Sequence, residues 1–475
     1  MSGCCTPDGR RDDYDLAVVG AGSAGFSAAI TAAEKGARVV LVGHGVIGGT
    51  CVNVGCVPSK TMIRAAEALH GARAAHRFPG IAGEAVVTDW SSLVAAKDDL
   101  VSGLRQRKYV DLLTGYDGIT YREGAARLDG AGVTVNGDAV RARSVILATG
   151  ASPAGADIPG LDRVPYLTST TALELTELPR SLLVVGGGYV GCELAQMFAR
   201  AGTQVTLLTR RRLLPDVEPE IAAALIGYLR EEGMAVRTGL GYRRIGRSAG
   251  GVTLEIETGA GSEVITAERV LVATGRTPNS RGLQLAEAGV ALTAAGAIVV
   301  DDRMRTTRPG VYAAGDVTGR DQFVYMAAHG AKIAALNAID GDRFRYDDSA
   351  IPWVVFTDPQ VAGVGMGEVA ARAAGHRVKT STLPLDQLPR ALAARDTRGL
   401  VKLIADADSD RILGAQILAP ESADAIQTAA LAIKHGMTTT ALGETIFPYL
   451  TTVEGLRLAA QGFGRDISKL SCCAG

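Results

Sequence analysis

Two glycine motifs limit what this chain can fold into more strongly than any other feature of its sequence. The first reads Gly20-x-Gly22-x-x-Gly25 and follows a short apolar run that begins at Tyr14. An Ala-rich stretch of helical composition comes next, and a second apolar, β-branched run follows it. A strand, a glycine turn, a helix and a strand in this order predict a βαβ unit whose helix N-terminus binds a pyrophosphate.

The same arrangement returns in the second half of the chain. There Gly186-x-Gly188-x-x-Gly191 follows an apolar run over residues 182–185 and precedes a helical stretch to Ala201. One such motif alone is a weak signal, but two in matching contexts predict two dinucleotide sites on one chain. We therefore expect two nucleotide cofactors that pass electrons between them.

The chain is predicted to be an α/β protein with two Rossmann-like dinucleotide-binding domains and a C-terminal α+β domain. Residues 145–150 and 270–275 echo each other, and Pro- and Gly-rich stretches at 153–165 and 276–279 mark crossings between domains. From residue 351 the pattern changes to short alternating strands and amphipathic helices. The predicted segments are a tail at 1–12, the first dinucleotide-binding domain at 13–155 and 281–348, the second at 156–280 and the C-terminal domain at 349–475.

Composition excludes two classes of partner. Lys and Arg number 49 and Asp and Glu 50, so the net charge of -1 provides no field that would hold nucleic acid or an anionic membrane. No apolar run approaches the ~18 residues of a membrane-spanning helix. The N-terminus has no charged-then-apolar signal peptide. We expect a cytoplasmic protein that neither binds nucleic acid nor inserts into a membrane.

The residues after each second strand bear on which nucleotide is bound. In the second site that position reads Thr209-Arg210-Arg211-Arg212, and a cationic cluster there suits a 2′-phosphate, so NADPH is predicted. In the first site the strand ends Leu41-Val-Gly43-His44, without the acid that would bind a ribose hydroxyl. How the ribose is held at the first site therefore stays open.

Six of the seven cysteines fall in three close sets, which in a reducing compartment indicates redox or metal chemistry. The middle set lies in Gly48-Gly-Thr-Cys51-Val-Asn-Val-Gly-Cys56-Val-Pro-Ser-Lys60. On this segment and the two glycine motifs the sequence resembles the flavoprotein disulfide reductases, the family of glutathione reductase and dihydrolipoyl dehydrogenase. The resemblance covers essentially the whole chain from about Asp13.

The resemblance implies that the first site binds FAD, the second binds NADPH and the last domain forms a homodimer. It implies that Cys51 and Cys56 are a redox-active dithiol beside the flavin, with Cys56 in contact with it and Cys51 as the exchanging thiol. Lys60 is expected near the flavin, paired with Glu193. The FAD site is predicted to include Gly20, Gly22, Gly25, Gly49, Thr50, Lys60, Thr149, Gly150 and Asp316. The NADPH site is predicted to include Gly186, Gly188, Gly191, Arg210, Arg211 and Gly275.

One departure from that family is chemically informative. Its disulfide-reducing members carry a C-terminal histidine that protonates a leaving thiolate, but here Tyr449 stands at that position while Glu454 is retained. The chain ends in Ser-Cys472-Cys473-Ala-Gly, and adjacent thiols suit a soft metal ion. In these respects the sequence resembles the members of the family that reduce Hg(II).

That resemblance implies an NADPH-dependent, FAD-containing reductase of thiol-bound Hg(II). Cys472 and Cys473 would collect the ion and pass it to Cys51 and Cys56 of the other subunit, so that the four cysteines form the metal path. Tyr189 and Tyr449 would lie near this path, and Tyr189 alternatively gates the nicotinamide pocket. Cys4 and Cys5 are either a metal-catching tail or an unimportant end, and Cys192 is expected to be a packed helix residue.

Two other functions stay open at this point. One is a disulfide or dihydrolipoamide reductase with a different base. The other is a non-catalytic soft-metal-binding flavoprotein whose flavin is structural.

Overall fold

The computed structural model describes residues 13–130 and 132–469. The predicted tail at 1–12 and the cysteines Cys4, Cys5, Cys472 and Cys473 lie outside the described residues, so the structure does not test their predicted roles. None of the helices in the two described ranges combines the length and the apolar character needed to cross a bilayer.

The strands and helices of the described ranges are numbered here in chain order. The strands are β1 (Tyr14–Val19), β2 (Val39–Gly43), β3 (Ile119–Glu123), β4 (Ala126–Asp129), β5 (Gly132–Val135), β6 (Asp138–Leu147), β7 (Ala151–Pro153), β8 (Ser181–Val185), β9 (Gln204–Leu208), β10 (Ala235–Arg237), β11 (Gly241–Ser248), β12 (Gly251–Thr258), β13 (Gly261–Ala267), β14 (Arg269–Val272), β15 (Arg276–Pro278), β16 (Val311–Ala313), β17 (Trp353–Val355), β18 (Gln360–Gly365), β19 (Val378–Pro384), β20 (Leu400–Asp406) and β21 (Ile412–Ala419). The α-helices are α1 (Ser23–Glu34), α2 (Gly49–Asn53), α3 (Cys56–Arg73), α4 (Trp90–Arg105), α5 (Asp111–Leu113), α6 (Ser169–Ala172), α7 (Tyr189–Ala201), α8 (Pro219–Glu231), α9 (Val324–Asp340), α10 (Glu368–Ala373), α11 (Pro389–Ala394), α12 (Ser422–Lys434), α13 (Thr439–Glu444) and α14 (Glu454–Gln461).

The chain divides into two compact units. Among the described residues, the first comprises residues 13–58, 95–153 and 276–347, and the second comprises residues 59–94, 154–275 and 348–469. Two of the crossings, after residues 153 and 275, fall at the Pro- and Gly-rich stretches that the sequence indicates.

The first unit is built on a mainly parallel sheet in the order β3-β2-β1-β6-β5-β4, with β16 also paired to β6. The strands β1, β2, β3, β6 and β16 are parallel neighbours, and β4 and β5 are antiparallel extensions. The central strands are buried on both faces because they are apolar, β-branched runs, as is usual for parallel strands that pack against helices on their faces.

The second unit contains a four-stranded parallel sheet in the order β10-β9-β8-β14 and a three-stranded antiparallel sheet in the order β11-β12-β13. It also contains the C-terminal antiparallel sheet, in the order β17-β18-β21-β20-β19. An apolar cluster under that last sheet includes Ile417, Ile426 and Leu456, from β21, α12 and α14. The parallel nucleotide-type folds and the C-terminal α+β fold predicted from the sequence are confirmed.

Most of the predicted elements agree with the structure to within two residues. The apolar run over residues 182–185 lies in β8, and the helical stretch that the sequence extends to Ala201 is α7, which ends at that residue. Helix α1 begins at Ser23, inside the first glycine motif, and Gly22 is its N-cap. Residues 59–94, which the predicted boundaries put in the first dinucleotide-binding domain, belong to the second unit, because Met62, Ile63 and Trp90 pack into its core.

A buried ion cluster fixes the far end of α7 within the second unit. The side chain of Arg200 is 4% exposed and donates to Glu232 at 2.7 Å and to Asp358 at 2.9 Å. Arg398 joins the same two carboxylates from the C-terminal part of the unit, at 3.6 and 3.2 Å. A buried charge is tolerated only when it is paired in this way, so α7 is held at its C-terminal end while its N-terminal end remains available for function.

Candidate active site

The first glycine turn is packed so tightly that only glycine fits at two of its positions. Gly20 has φ +117°, and a Cβ there would lie 2.2 Å from the carbonyl oxygen of Ala148. A Cβ on Gly25 would lie 1.7 Å from the Gly20 oxygen, so the third glycine lets α1 pack against the turn. Gly22 is the N-cap of α1, and no side chain caps that helix. The N–H groups of its first turn therefore remain available to an anion.

The segment with the paired cysteines is fixed directly against this turn. The Gly48 N–H donates to the Ala21 oxygen at 2.9 Å. Gly49 has φ +67°, and a Cβ on it would stand 2.6 Å from the Gly22 Cα. Backbone meets backbone here, so the predicted FAD residues Gly22 and Gly49 are neighbours in space. Thr50, also predicted at this site, is the next residue of α2 and is exposed.

Cys51 comes directly after Gly49 and Thr50 in the sequence, and Cys56 follows it closely. Cys51 lies in α2, Cys56 is the first residue of α3, and both side chains are half-buried. The loop between them is tight, because a Cβ on Gly55 would lie 2.9 Å from the Thr50 oxygen. The Asn53 amide donates to the oxygens of Ile47 and Gly49, each at 2.9 Å, and braces the segment. A helix start favours the thiolate form, which is the reactive form of a cysteine.

Further predicted residues lie at the carboxyl edge of the same sheet. Thr149 and Gly150 follow β6, and the Thr149 hydroxyl donates to the Asn279 oxygen at 2.7 Å, while the Asn279 amide returns a bond to the Thr149 oxygen at 3.0 Å. Asp316 follows the neighbouring strand β16 after Gly315, where a Cβ would lie 3.1 Å from the Cβ of Ala24 in α1. The first glycine turn, Thr149 and Asp316 thus share one edge, where ligands of parallel sheets bind.

The Asp316 carboxyl is partly desolvated. Burial raises its pKa above the ordinary value, and the guanidinium of Arg276, with Nε 3.5 Å from Oδ2, offsets part of that rise. Arg276 was not singled out from the sequence, because an arginine after a turn has no distinctive pattern.

The second glycine turn has the same construction. Gly186 has φ +122°, and a Cβ on it would lie 2.2 Å from the Ala273 oxygen, while a Cβ on Gly191 would lie 1.9 Å from the Gly186 oxygen. A Cβ on Gly188 would meet nothing within 4 Å, and α7 begins there without a side-chain cap. Gly275, with φ +136°, also faces open space. Both turns therefore fit a dinucleotide pyrophosphate.

The arginines after β9 are exposed but not equivalent. Arg210 donates to the Asp157 oxygen and its guanidinium carbon lies 5.1 Å from the centre of the Tyr242 ring. Arg212 donates to the oxygen of Pro215. The guanidinium of Arg211 makes no hydrogen bond or ion pair with any described residue. Arg211 is therefore the member of the cluster best placed to bind a phosphate.

The predicted pairing of Lys60 with Glu193 is confirmed. Lys60 lies one turn into α3, and its Nζ is 2.7 Å from Oε2 of Glu193. Glu193 is 5% exposed, and its other oxygen accepts the Phe356 N–H at 2.9 Å. The Lys60 ammonium also lies 4.7 Å from the centre of the Phe356 ring. Every charge of this pair is satisfied, so the lysine is held in one orientation.

The two predicted tyrosines have different surroundings. Tyr189 is the first residue of α7, on the same face as Glu193, and its ring centroid lies 5.7 Å from that of Trp353. Tyr449 is 48% exposed. Glu454 is buried, which raises its pKa, while the backbone of Leu450 and the charge of Arg457 act in the opposite direction. Trp353 was not predicted from the sequence, since a lone tryptophan on a strand is usually a core residue.

One cysteine prediction is tested here. Cys192 is fully buried, and burial raises the pKa of its thiol, so the prediction of a packed helix residue is confirmed. Among residues 13–130 and 132–469 no group of three or more His, Cys, Asp and Glu side chains is arranged to hold a metal ion.

Comparison with protein families agrees with this architecture. A family model described as pyridine nucleotide-disulphide oxidoreductase matches residues 14–334, and the model of the dimerisation domain of the same family matches residues 351–460.

Individual relatives match over nearly the full chain. The mercuric reductase of Streptomyces lividans is 47% identical over 97% of this chain and 98% of its own length. That of Staphylococcus aureus is 45% identical over 98% of this chain and 85% of its own length. Among solved structures, the Cu(II) complex of the HOCl-induced flavoprotein disulfide reductase RclA from Escherichia coli has a TM-score of 0.83 at 31% identity, covering 95% of this chain and 99% of that one.

Replacing Asp316 by Asn should change how the stability of the apoprotein depends on pH. A carboxyl whose pKa is raised by folding stabilises the protein below its unfolded pKa, and this stability is lost as pH rises through the folded pKa. The amide of the Asp316→Asn variant does not titrate, so the variant does not lose this stability as pH rises. The difference in thermal midpoint between Asp316→Asn and the parent should therefore move in favour of the variant between about pH 4 and pH 7.

Asp301→Asn is the matched control. Burial acts to raise the pKa of Asp301, but hydrogen bonds from Arg305 and from the backbone of Arg303 and Arg305 hold it below its usual value. A carboxyl whose pKa is lowered by folding stabilises the protein above its unfolded pKa, and this stability is lost as pH falls through the folded pKa, so the thermal midpoint of Asp301→Asn should gain on that of the parent as pH falls below about 5. A common trend in the two variants would contradict the analysis.

Proposed function

The chain belongs to the pyridine nucleotide-disulphide oxidoreductase family, and we propose that it reduces thiol-bound Hg(II) to Hg(0) with electrons from NADPH. The observation that carries the proposal is the 45–47% identity to mercuric reductases over nearly the whole chain, combined with the cysteine pair fixed against a nucleotide turn. The protein is an NADPH-dependent flavoprotein oxidoreductase with a family dimerisation domain, and it forms a homodimer.

FAD is held at the first glycine turn by Gly20, Gly22, Gly25 and Gly49, with Thr50, Thr149, Gly150, Lys60 and Asp316 as further contacts. NADPH is held at the second turn by Gly186, Gly188, Gly191 and Gly275, with Arg210 and Arg211 at the 2′-phosphate. When bound, FAD supplies a carrier for the two electrons that NADPH releases as a hydride.

Cys51 and Cys56 bind the substrate as thiolates. Hg(II) is a soft ion and prefers sulfur ligands, and it is exchanged between thiolates in single steps, as in thiol–disulfide exchange. The helix start at Cys56 stabilises the thiolate form that accepts the ion. In the overall reaction Hg(II) gains two electrons, NADPH loses two electrons and one proton to become NADP+, and the two thiolates that carried the ion are released, one of them taking up that proton.

The residues near the C-terminus favour a substrate that needs electrons but no proton from an acidic side chain. A disulfide substrate needs an acid for its leaving thiolate, and a phenol of pKa ~10 is a poor acid–base near neutral pH compared with an imidazole of ~6.5. Tyr449 stands at the position of that acid, and no histidine follows His435 in the sequence. Reduction of Hg(II) has no such requirement, because its ligands are already thiolates and Hg(0) has little affinity for them.

The C-terminal cysteines supply the substrate. Cys472 and Cys473 collect Hg(II) from small-molecule or protein thiols and pass it to Cys51 and Cys56 of the other subunit. Tyr189 and Tyr449 lie near this path. The reaction takes place in the cytoplasm, where NADPH is available.

Steady-state oxidation of NADPH by the purified holoenzyme tests the function. With Hg(II) and an excess of small thiol, oxidation should depend on the metal. Oxidised glutathione and oxidised lipoamide should support little turnover, because the acid–base is missing. Turnover with a disulfide and none with Hg(II) would favour a disulfide reductase. A flavin that NADPH cannot reduce, in a protein that binds Hg(II), would favour a non-catalytic metal-binding flavoprotein.

The nicotinamide preference is tested at the arginine cluster. Arg211→Ala removes the guanidinium that no described residue engages, so it should raise the KM for NADPH by about ten-fold and leave the KM for NADH unchanged. Arg212→Ala is the control, because Arg212 is already bonded to the Pro215 oxygen. Equal effects of the two substitutions, or a parallel rise in the KM for NADH, would show that Arg211 does not read the 2′-phosphate.

A further inference from the structure

The end of β2 lacks the group that usually recognises the ribose of a dinucleotide. In βαβ units of this type an Asp or Glu at that position binds a ribose hydroxyl. Here β2 ends in Gly43, and the residue after it, His44, is exposed. Gly43 does not have a positive φ, so the backbone does not require a glycine there.

Residue 43 must be a glycine because there is no room for a Cβ at that position. Tyr121 in β3 is paired with Leu41 of β2, two pairs before the pair that Gly43 makes with Glu123. A Cβ on Gly43 would lie 2.3 Å from the hydroxyl oxygen of Tyr121 and 2.9 Å from two of its ring carbons. The tyrosine therefore fills the volume that an acidic side chain at residue 43 would start from.

The Tyr121 side chain lies on the same side of the sheet as α1, the helix that follows the first glycine turn. Leu41 lies two residues before Gly43 and therefore points to the same side of the sheet. Its side chain lies 3.5 Å from where a Cβ of Gly25 would be, so this side faces α1. The Tyr121 hydroxyl consequently lies at the carboxyl edge of β2, on the side where α1 begins.

The hydroxyl is available for a ligand. Tyr121 is half-buried, and its oxygen makes no hydrogen bond with any residue of the described ranges. Burial raises the pKa of the phenol, with a contribution from the charge of Glu123, so the group is neutral at neutral pH. A neutral hydroxyl can both donate to and accept from a ribose hydroxyl.

We propose that the Tyr121 hydroxyl replaces the missing acid and binds a hydroxyl of the adenosine ribose of FAD. Gly43 and Tyr121 then act as a pair: the glycine leaves room for the tyrosine, and the phenol from the neighbouring strand takes over the function of a carboxylate at the end of β2. This inference rests on the assignment of FAD to the first glycine turn.

Binding of FAD to the full-length apoprotein, followed by quenching of flavin fluorescence, tests the assignment without reference to turnover. Tyr121→Phe keeps the ring and removes only the hydroxyl, and it should weaken FAD binding by about five-fold. Tyr116→Phe, a half-buried tyrosine just before the same strand, should leave the affinity unchanged. FAD analogues that lack the 2′- or the 3′-hydroxyl of the adenosine ribose complete the cycle.

For one of the two analogues the penalty of Tyr121→Phe should disappear, because the partner of the phenol is gone. An unchanged affinity of Tyr121→Phe for FAD, or an equal penalty with FAD and both analogues, would overturn the proposal and leave Tyr121 a packing residue. Failure of the parent apoprotein to bind FAD at all would instead contradict the proposed function.

A second pair of variants tests whether Tyr121 takes over the function of an acid at residue 43. Gly43→Glu alone should weaken FAD binding, because the new side chain meets the Tyr121 ring. Combining Gly43→Glu with Tyr121→Ala opens that space and restores an acid, so the double variant should bind FAD more tightly than either single variant. Additive losses in the double variant would count against this role of Tyr121.

Discussion

The contact between the backbones of Gly22 and Gly49 is the constraint on which the candidate site depends. It is possible only because neither residue has a side chain, and the bond from Gly48 to Ala21 holds the two segments together. Through it, a turn that fits a pyrophosphate and the segment that carries Cys51 in α2 and Cys56 at the start of α3 become one local structure. Redox chemistry between a nucleotide and sulfur requires such proximity.

Two sets of residues bear on which substrate the proposed reaction takes. Lys60 forms an ion pair with the buried Glu193, whose other oxygen accepts the Phe356 N–H. The resemblance places Tyr449 where disulfide-reducing relatives carry a histidine, and Glu454 is buried. A substrate that accepts two electrons and leaves its sulfur ligands without protonation by the enzyme fits this set of residues best.

The sequence predicted the parts of the structure that depend on local rules. Glycines with positive φ or no room for a Cβ, apolar β-branched runs and the α7 helix all carry their signal within a few residues. It did not predict that residues 59–94 pack with the second unit, because that depends on which core Met62 and Trp90 enter. The Gly43–Tyr121 contact was also missed, since it joins strands about 80 residues apart, and a glycine in the sequence shows only that the acid is missing.

The yield of mercury vapour per NADPH oxidised tests the central claim that Hg(II) bound by Cys51 and Cys56 receives the two electrons that NADPH supplies. The parent holoenzyme should release one Hg(0) for each NADPH consumed. A Cys51→Ala, Cys56→Ala double variant that still binds FAD should release none. Vapour from the double variant at the rate of the parent, or NADPH oxidation by the parent without vapour, would contradict the account.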